Sequence, residues 1–245
     1  MRSLGPGVAL SHVSGAIHHG IDVWGVDLSR VHVTRLDGVA GRIEGDVVHH
    51  EGLCLREEVH VVRGLRVLSA DRCVLEAGSR VGGEAALVML NSLLHRGLCS
   101  SEALRAQFEI LQHWPFMQRM QIPLRLADPG SASVGESRGL WLFWCHRLPR
   151  PVTQFEVRDA GDGLLGTTDW AWPDQQGLGE FDGALKYGRV LRPGQDPGDV
   201  VFAEKQREDR LREETGMWMV RLVWSDFQRP AVTAARIRRL MRISA

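Results

Sequence analysis

The run Asp169–Lys186, DWAWPDQQGLGEFDGALK, decides how this chain reads. Side chains alternate faces along a β-strand, so Glu180 and Asp182 point to the same side, while Leu178 and Phe181 fall on opposite sides. Asp169 can join the two acids from a neighbouring strand, and Lys186 follows within a few residues. Carboxylates gathered on one sheet face repel and raise one another's pKa unless a cation or base neutralises them. Such a set marks a chemical site more often than chance; the competing reading is a solvated strand edge. Lys186 and Lys205 are the only lysines among 30 basic side chains. An ammonium is a compact point charge that guanidinium does not replace, which gives those two positions weight.

Outward from this run, the elements fall in the order helix, three strands, helix, strand. Glu136–His146 is expected as a helix stopped by Pro149 and Pro151. Gln154–Arg158 and Gly166–Trp172 form a hairpin around Gly161-Asp162-Gly163, where a tight reversal needs positive φ. Gly177–Phe181 is the third strand, followed by a Gly- and Pro-rich loop over Gly183–Gly198. A charged helix over Glu204–Glu214, ended at Gly216, leads into a strand at Met217–Trp224, and Arg236–Met241 lies in a last, basic helix. Six of the eight tryptophans fall in this half; alternate apolar spacing assigns them to packing rather than to base stacking.

The segment ADPGSASVG, residues 127–135, is the strongest break in the chain and separates a domain over 1–130 from one over 131–245. Residues 1–130 read as mixed α/β. Ser11 precedes apolar Val13, Ile17 and Ile21 at helical spacing, with closure near Gly20 or Gly25. Short strands are expected at Val31–Thr34, Val47–His49 and Val59–Val62, with Gly64–Leu68 as a further hairpin arm. Helices follow at Ser69–Gly78 and Gly83–Leu94, and Ser100 and Ser101 cap another through Leu111. Residues 116–133 form a helical connector. His18-His19 and His49-His50 could suggest metal, but adjacent side chains face apart, which favours hydrogen-bonded or surface histidines.

The 245 residues carry zero formal net charge, so no global field draws the chain to nucleic acid or an anionic membrane, and any such site is a local patch. Cys54, Cys73, Cys99 and Cys145 have no zinc-site spacing and are expected as reduced, buried thiols. The apolar run before Ser11 is too short and Gly-broken for a signal peptide. No stretch approaches the length of a spanning helix, and no membrane partner is expected. A cytoplasmic location is the expectation.

The order α-β-β-β-α-β, with Asp169, Glu180-Phe181-Asp182-Gly183 and Lys186, resembles the PD-(D/E)XK nuclease superfamily. The likeness is greatest to the branch of very-short-patch-repair endonucleases, where Asp is followed by Glu-x-Asp-Gly and then His or Lys. Glu136 matches an acid on that family's first helix, and Arg210 and Arg221 stand at its usual basic positions. The resemblance covers residues 133–228. The superfamily's commonest form has Lys two residues after the Glu; Asp182 stands there, so the lysine's role passes to Lys186 or Lys205. The whole-chain layout, including SHVSGAIHHG over 11–20, resembles actinobacterial AbiEi-type antitoxins and transcriptional regulators.

The resemblance implies a restriction-endonuclease-like C-terminal core that hydrolyses phosphodiester bonds of nucleic acid, DNA in preference to RNA, with Mg²⁺ or Mn²⁺ as cofactor. Asp169, Glu180 and Asp182 would be the metal ligands, with Glu136 directly or through water, and Lys186 would orient the nucleophile or neutralise charge. Lys205, Arg207, Arg210, Arg238 and Arg242 would grip the backbone without reading sequence. A homodimer would suit cleavage of both strands. The alternatives are a non-catalytic nucleic-acid-binding antitoxin or regulator on a degenerate nuclease fold, and a protein-interaction module in phage defence.

Overall fold

The computed structural model describes residues 7–54, 56–159, 161–183 and 211–243. The protein is α/β and divides into two units, Met1–Val134 and Gly135–Ala245.

In the N-terminal unit a three-residue strand, β1 (Val8–Leu10), organises a six-stranded mixed sheet. It pairs antiparallel with β2 (Val31–Arg35) and parallel with β6 (Leu65–Leu68). Beyond β2 lie β4 (Val47–His50), parallel to it, and β3 (Arg42–Glu44), antiparallel to β4; β5 (Val59–Val62) closes the other edge against β6. Ala9 and Leu10 are buried, which is why so short a strand holds a central position: hydrogen bonding on two sides and apolar cover compensate for its length. The sequence reading had no strand here or at β3.

Ser11 joins β1 to α1 (His12–His18), which packs on α2 (Ala70–Gly78). The approach is close because Gly15 faces Cys73; a Cβ at Gly15 would stand 2.3 Å from the Cys73 Sγ. Next comes α3 (Gly83–His95), buried without interruption from Ala85 to Leu94. A helix buried on every side lies inside a unit rather than on it, with Asn91 and Ser92 as its buried polar positions. α4 (Ser101–Leu111) is capped by the Ser100 hydroxyl, which accepts from the Ala103 N–H at 3.1 Å, as expected from sequence. A 3₁₀ turn at Met117–Met120 and α5 (Gln121–Leu126) make the connector helical.

In the C-terminal unit, α6 (Val134–Cys145) is followed by β7 (Val152–Arg158), β8 (Leu164–Trp172) and β9 (Gly177–Asp182). Residues 211–215 are helical and precede β10 (Trp218–Val223). The strands lie in the order β10-β9-β8-β7, with β7, β8 and β9 antiparallel and β10 parallel to β9. α7 (Pro230–Met241) follows. Most of the helix expected at Glu204–Glu214 lies outside the described residues.

α6 is seated on the sheet by two glycines. A Cβ at Gly135 would lie 2.0 Å from the Phe181 ring, and one at Gly139 would lie 2.2 Å from Trp170. Phe143 then meets Trp170 and Trp172 edge-on, with both centroid distances 5.1 Å. Trp170 and Trp172 are fully buried, so these two rings pack in the core as expected. On the opposite face Val157, Ala171, Leu178, Leu211 and Met219 form a second apolar cluster. In the β7–β8 turn the positive φ belongs to Asp162, at 66°, and not to its flanking glycines. The Asp159 carboxylate holds that turn by accepting from Gly161 N–H and Gly163 N–H, each at 2.8 Å.

Candidate functional site

Leu178 and Ala171 fix the face on which the acids lie. Both belong to the cluster with Met219, and side chains two residues apart on a strand share a face. Continuing the alternation puts Glu180 and Asp182 beyond Leu178, Asp169 beyond Ala171, and Arg221 beyond Met219. Phe181 points the other way, to α6 and to Trp224, whose ring meets it edge-on at 4.9 Å. The three acids therefore occupy one end of one sheet face, continuous with apolar core.

Their local bonds differ. Asp169 Oδ2 accepts the Phe181 N–H at 2.7 Å, just beyond the last β8–β9 pair, Trp170 with Gly179, so this carboxylate continues the ladder where main-chain pairing stops. Glu180 is buried and stands directly opposite Arg221 in the parallel register. The guanidinium reaches Glu180 Oε2 at 3.5 Å and Asp182 Oδ2 at 3.6 Å, contacts at the long limit of hydrogen bonding. Asp182 Oδ1 is buried without a hydrogen-bond partner. Glu136, buried in the first turn of α6, accepts from Gln154 Nε2 at 3.4 Å; its helix covers the Phe181 face, not the face of the other three acids. Among the described residues no group of three His, Cys, Asp or Glu side chains is arranged to hold a metal ion.

The basic residues divide as well. Lys186, Lys205, Arg207 and Arg210 lie outside the described residues. Arg238 is half-buried and donates to the His146 carbonyl. Arg242 is exposed at the C-terminus of α7, in the left-handed conformation with φ 55°. Cys73 is buried, and that burial pushes its thiol well above the usual range, whereas Cys145 is exposed, contrary to the expectation of buried thiols.

A second polar concentration, in the N-terminal unit, escaped the sequence reading. His12 begins α1 with φ 50°, a left-handed conformation uncommon for a residue with a Cβ. Its ring stacks on His50 at 3.6 Å between centroids, and His32 stacks on His50 at 5.1 Å. His32 Nδ1 and His50 Nε2 share a hydrogen bond of 2.9 Å. Behind His12, Nδ1 is 3.0 Å from Ser11 Oγ and 3.2 Å from Glu76 Oε2. The Glu76 contact is too poorly aligned to be a hydrogen bond, since Oε2 has no such partner.

Glu76 Oε1 accepts from buried Arg72 at 2.9 Å, and Arg72 also donates to Glu58 and to the Leu53 carbonyl. Burial first, then His50, His32 and Arg80, hold the His12 pKa well below its ordinary value, while burial raises that of Glu76. The His12–Glu76 contact therefore involves a neutral imidazole. His50 falls to about 4, from burial first and His32 second. The i,i+4 spacing of Arg72 and Glu76 on the helix expected over 69–78 is the signal that could have flagged this pair. His32 and His50 share a face because β2 and β4 pair with Thr34 opposite His50; asking which histidines of different strands face together would have found them. His18 and His19 bond the Val62 and Leu68 carbonyls, the hydrogen-bonded role anticipated for that pair.

No protein-family model, curated protein or solved structure matches the chain. Among the described residues no helix is long and apolar enough to cross a membrane.

Proposed function

We propose that the C-terminal unit is a Mg²⁺- or Mn²⁺-dependent nuclease acting on DNA in preference to RNA, in a defence or toxin–antitoxin setting. The observation that carries this reading is the placement of Asp169, Glu180 and Asp182 at one end of one face, with Asp182 Oδ1 buried and unbonded. Hard divalent cations take carboxylate oxygens, so the residue types suit one, although these side chains are not gathered around a single point in the structure. Asp169, Glu180 and Asp182 would hold the ion. Bound there, the cation would activate water and stabilise charge on the phosphate. Asp169 fixes the start of β9 pairing, Arg221 orients Glu180 and Asp182 and offsets their repulsion, and the Leu178–Ala171–Met219 cluster keeps water from the inner side of the acids.

Arg221 also favours a second reading. A guanidinium between Glu180 and Asp182 supplies much of the neutralisation that a cation would, as in a non-catalytic nucleic-acid-binding regulator that keeps the fold.

Mg²⁺ and Mn²⁺ titration by calorimetry into wild type, Asp169→Asn and Glu180→Gln, with plasmid and single-stranded oligonucleotide cleavage on the same samples, separates the two. Metal binding and cutting lost together in both variants support the nuclease. A wild type that binds duplex without metal and cuts nothing supports the regulator.

A further inference from the structure

The polar groups of the N-terminal unit converge on a pocket of about 300 Å³ lined by His12, His32, His50, Arg80, Arg30 and Asp27 together with valines. A smaller cavity of about 120 Å³ shares His12, His50 and Arg80 and is bounded by Glu76. We propose that this pocket binds a small phosphorylated molecule, with the phosphate on His12, His32, His50 and Arg80 and the apolar part against Val13, Val48 and Val81. The assignment is independent of the nuclease reading, which concerns the other unit.

Three imidazoles and two guanidiniums face a pocket whose one carboxylate, Asp27, accepts the Ser29 N–H at 2.8 Å. Cationic and donor groups thus exceed anionic ones at the mouth, an arrangement that favours an anion. A transition metal is a poorer occupant. The stacked rings present faces to one another, and His32 Nδ1 and His50 Nε2 are already spent on their mutual hydrogen bond.

His12 is aimed by its surroundings. Ser11 Oγ and Glu76 Oε2 lie on its Nδ1 side, which leaves Nε2 for a ligand. The left-handed His12 backbone, an uncommon conformation of the kind that gathers at ligand clamps, holds the ring there. The Arg72–Glu58–Glu76 network fixes the floor. Arg80 and, once they take up protons, the three imidazoles supply more donors than the two oxygens of a carboxylate can use, a match for the several oxygens of a phosphate monoester.

Binding is coupled to protonation. The groups facing the three rings are Arg72, Glu76 and Arg80 from α2 and its end, His49 and Glu51 from β4 and the residue after it, and Asp27 and Arg30 before β2. The arginines oppose protonation of the imidazoles; a bound dianion reverses that balance, so the site takes up protons as it fills.

The experiment is a titration of the full chain with inorganic phosphate, phenyl phosphate and benzoate at constant ionic strength and pH 8, 7 and 6, followed by calorimetry and the histidine Cε1–H NMR signals. The expected result is saturable movement of the His12, His32 and His50 signals by both phosphates, tighter binding of phenyl phosphate than of phosphate, and affinity that rises as pH falls. Arg80→Gln, at an exposed position that leaves the core intact, should weaken phosphate binding about tenfold, as loss of one charge-assisted contact does. His50→Gln should do the same. Signals that respond to ionic strength alone, or binding unchanged in Arg80→Gln, overturn the site; benzoate binding as well as phenyl phosphate overturns the phosphate assignment.

Discussion

Arg221 stands directly across the parallel β9–β10 ladder from Glu180 and reaches past it to Asp182, at 3.5 Å and 3.6 Å respectively. One guanidinium thus offsets two acids two residues apart on the neighbouring strand. Glu180 is buried, so removing Arg221 takes a nearby positive charge from a desolvated carboxylate, which is costlier than breaking a surface pair.

Arg221→Ala is therefore expected to lower stability by about 2 kcal/mol, less than a fully buried pair would lose because the guanidinium is partly exposed. If the acids hold a divalent cation, Mg²⁺ should recover part of the lost thermal midpoint, since a ligand that binds only the folded state stabilises it. Thermal unfolding with and without Mg²⁺ reads both effects. A midpoint equal to wild type would show that Arg221 does not neutralise the pair.

The seating of α6 depends on the absence of two side chains. A Cβ at Gly139 would penetrate Trp170, which is fully buried and cannot swing aside. Gly139→Ala should destabilise the C-terminal unit by about 1–3 kcal/mol through overpacking, and Gly135→Ala, against Phe181, by a similar amount. Urea denaturation followed by tryptophan fluorescence would detect either loss, and an unchanged transition would mean that the helix does not sit this close.

The histidine stack makes the N-terminal unit sensitive to acid. Folding lowers the pKa values of His12, His32 and His50, that of His50 from 6.5 to about 4, chiefly by burial. Between those values the unfolded chain binds more protons, so folded-state stability is retained above about pH 6.5 and falls as pH drops towards 4. His50→Gln should flatten the pH dependence of the urea midpoint over that window; an equally steep dependence in the variant would place the acid sensitivity elsewhere.

The sequence carried those parts of the fold that depend on local pattern. Alternation around Leu178, Glu180 and Asp182 defined β9 and its faces, and Ser100 marked the start of α4 through a hydroxyl that does cap it. β1 was illegible because three residues show no periodicity; its central place comes from two neighbours, β2 and β6, contributed by later parts of the chain. The turn after β7 was located correctly at Gly161-Asp162-Gly163; within it Asp162 takes the positive φ, and Asp159 holds the turn by accepting two N–H groups. His12, His32 and His50 come together only through strand register and the turn into α1. The three acids were readable as a group; that Asp169 also completes a backbone ladder, and that Arg221 lies opposite Glu180, required the register of three strands.

Asp169 has a structural role alongside its proposed chemical one, and the choice of substitution separates them. Its Oδ2 accepts the Phe181 N–H at 2.7 Å. Alanine removes that acceptor and leaves a partly buried backbone donor unsatisfied, which costs about 1–3 kcal/mol. Asparagine keeps an acceptor oxygen in the same place and removes only the charge. Asp169→Asn is expected to unfold near the wild-type urea midpoint while Asp169→Ala unfolds earlier, and a metal site would lose affinity in both, because a neutral amide is a weaker ligand for a hard cation than a carboxylate. Equal destabilisation by the two substitutions would show that charge, and not the bond to Phe181, is what Asp169 contributes to the fold. Loss of metal binding in Asp169→Ala alone would trace the effect to the disrupted start of β9 and remove Asp169 from the ligand set.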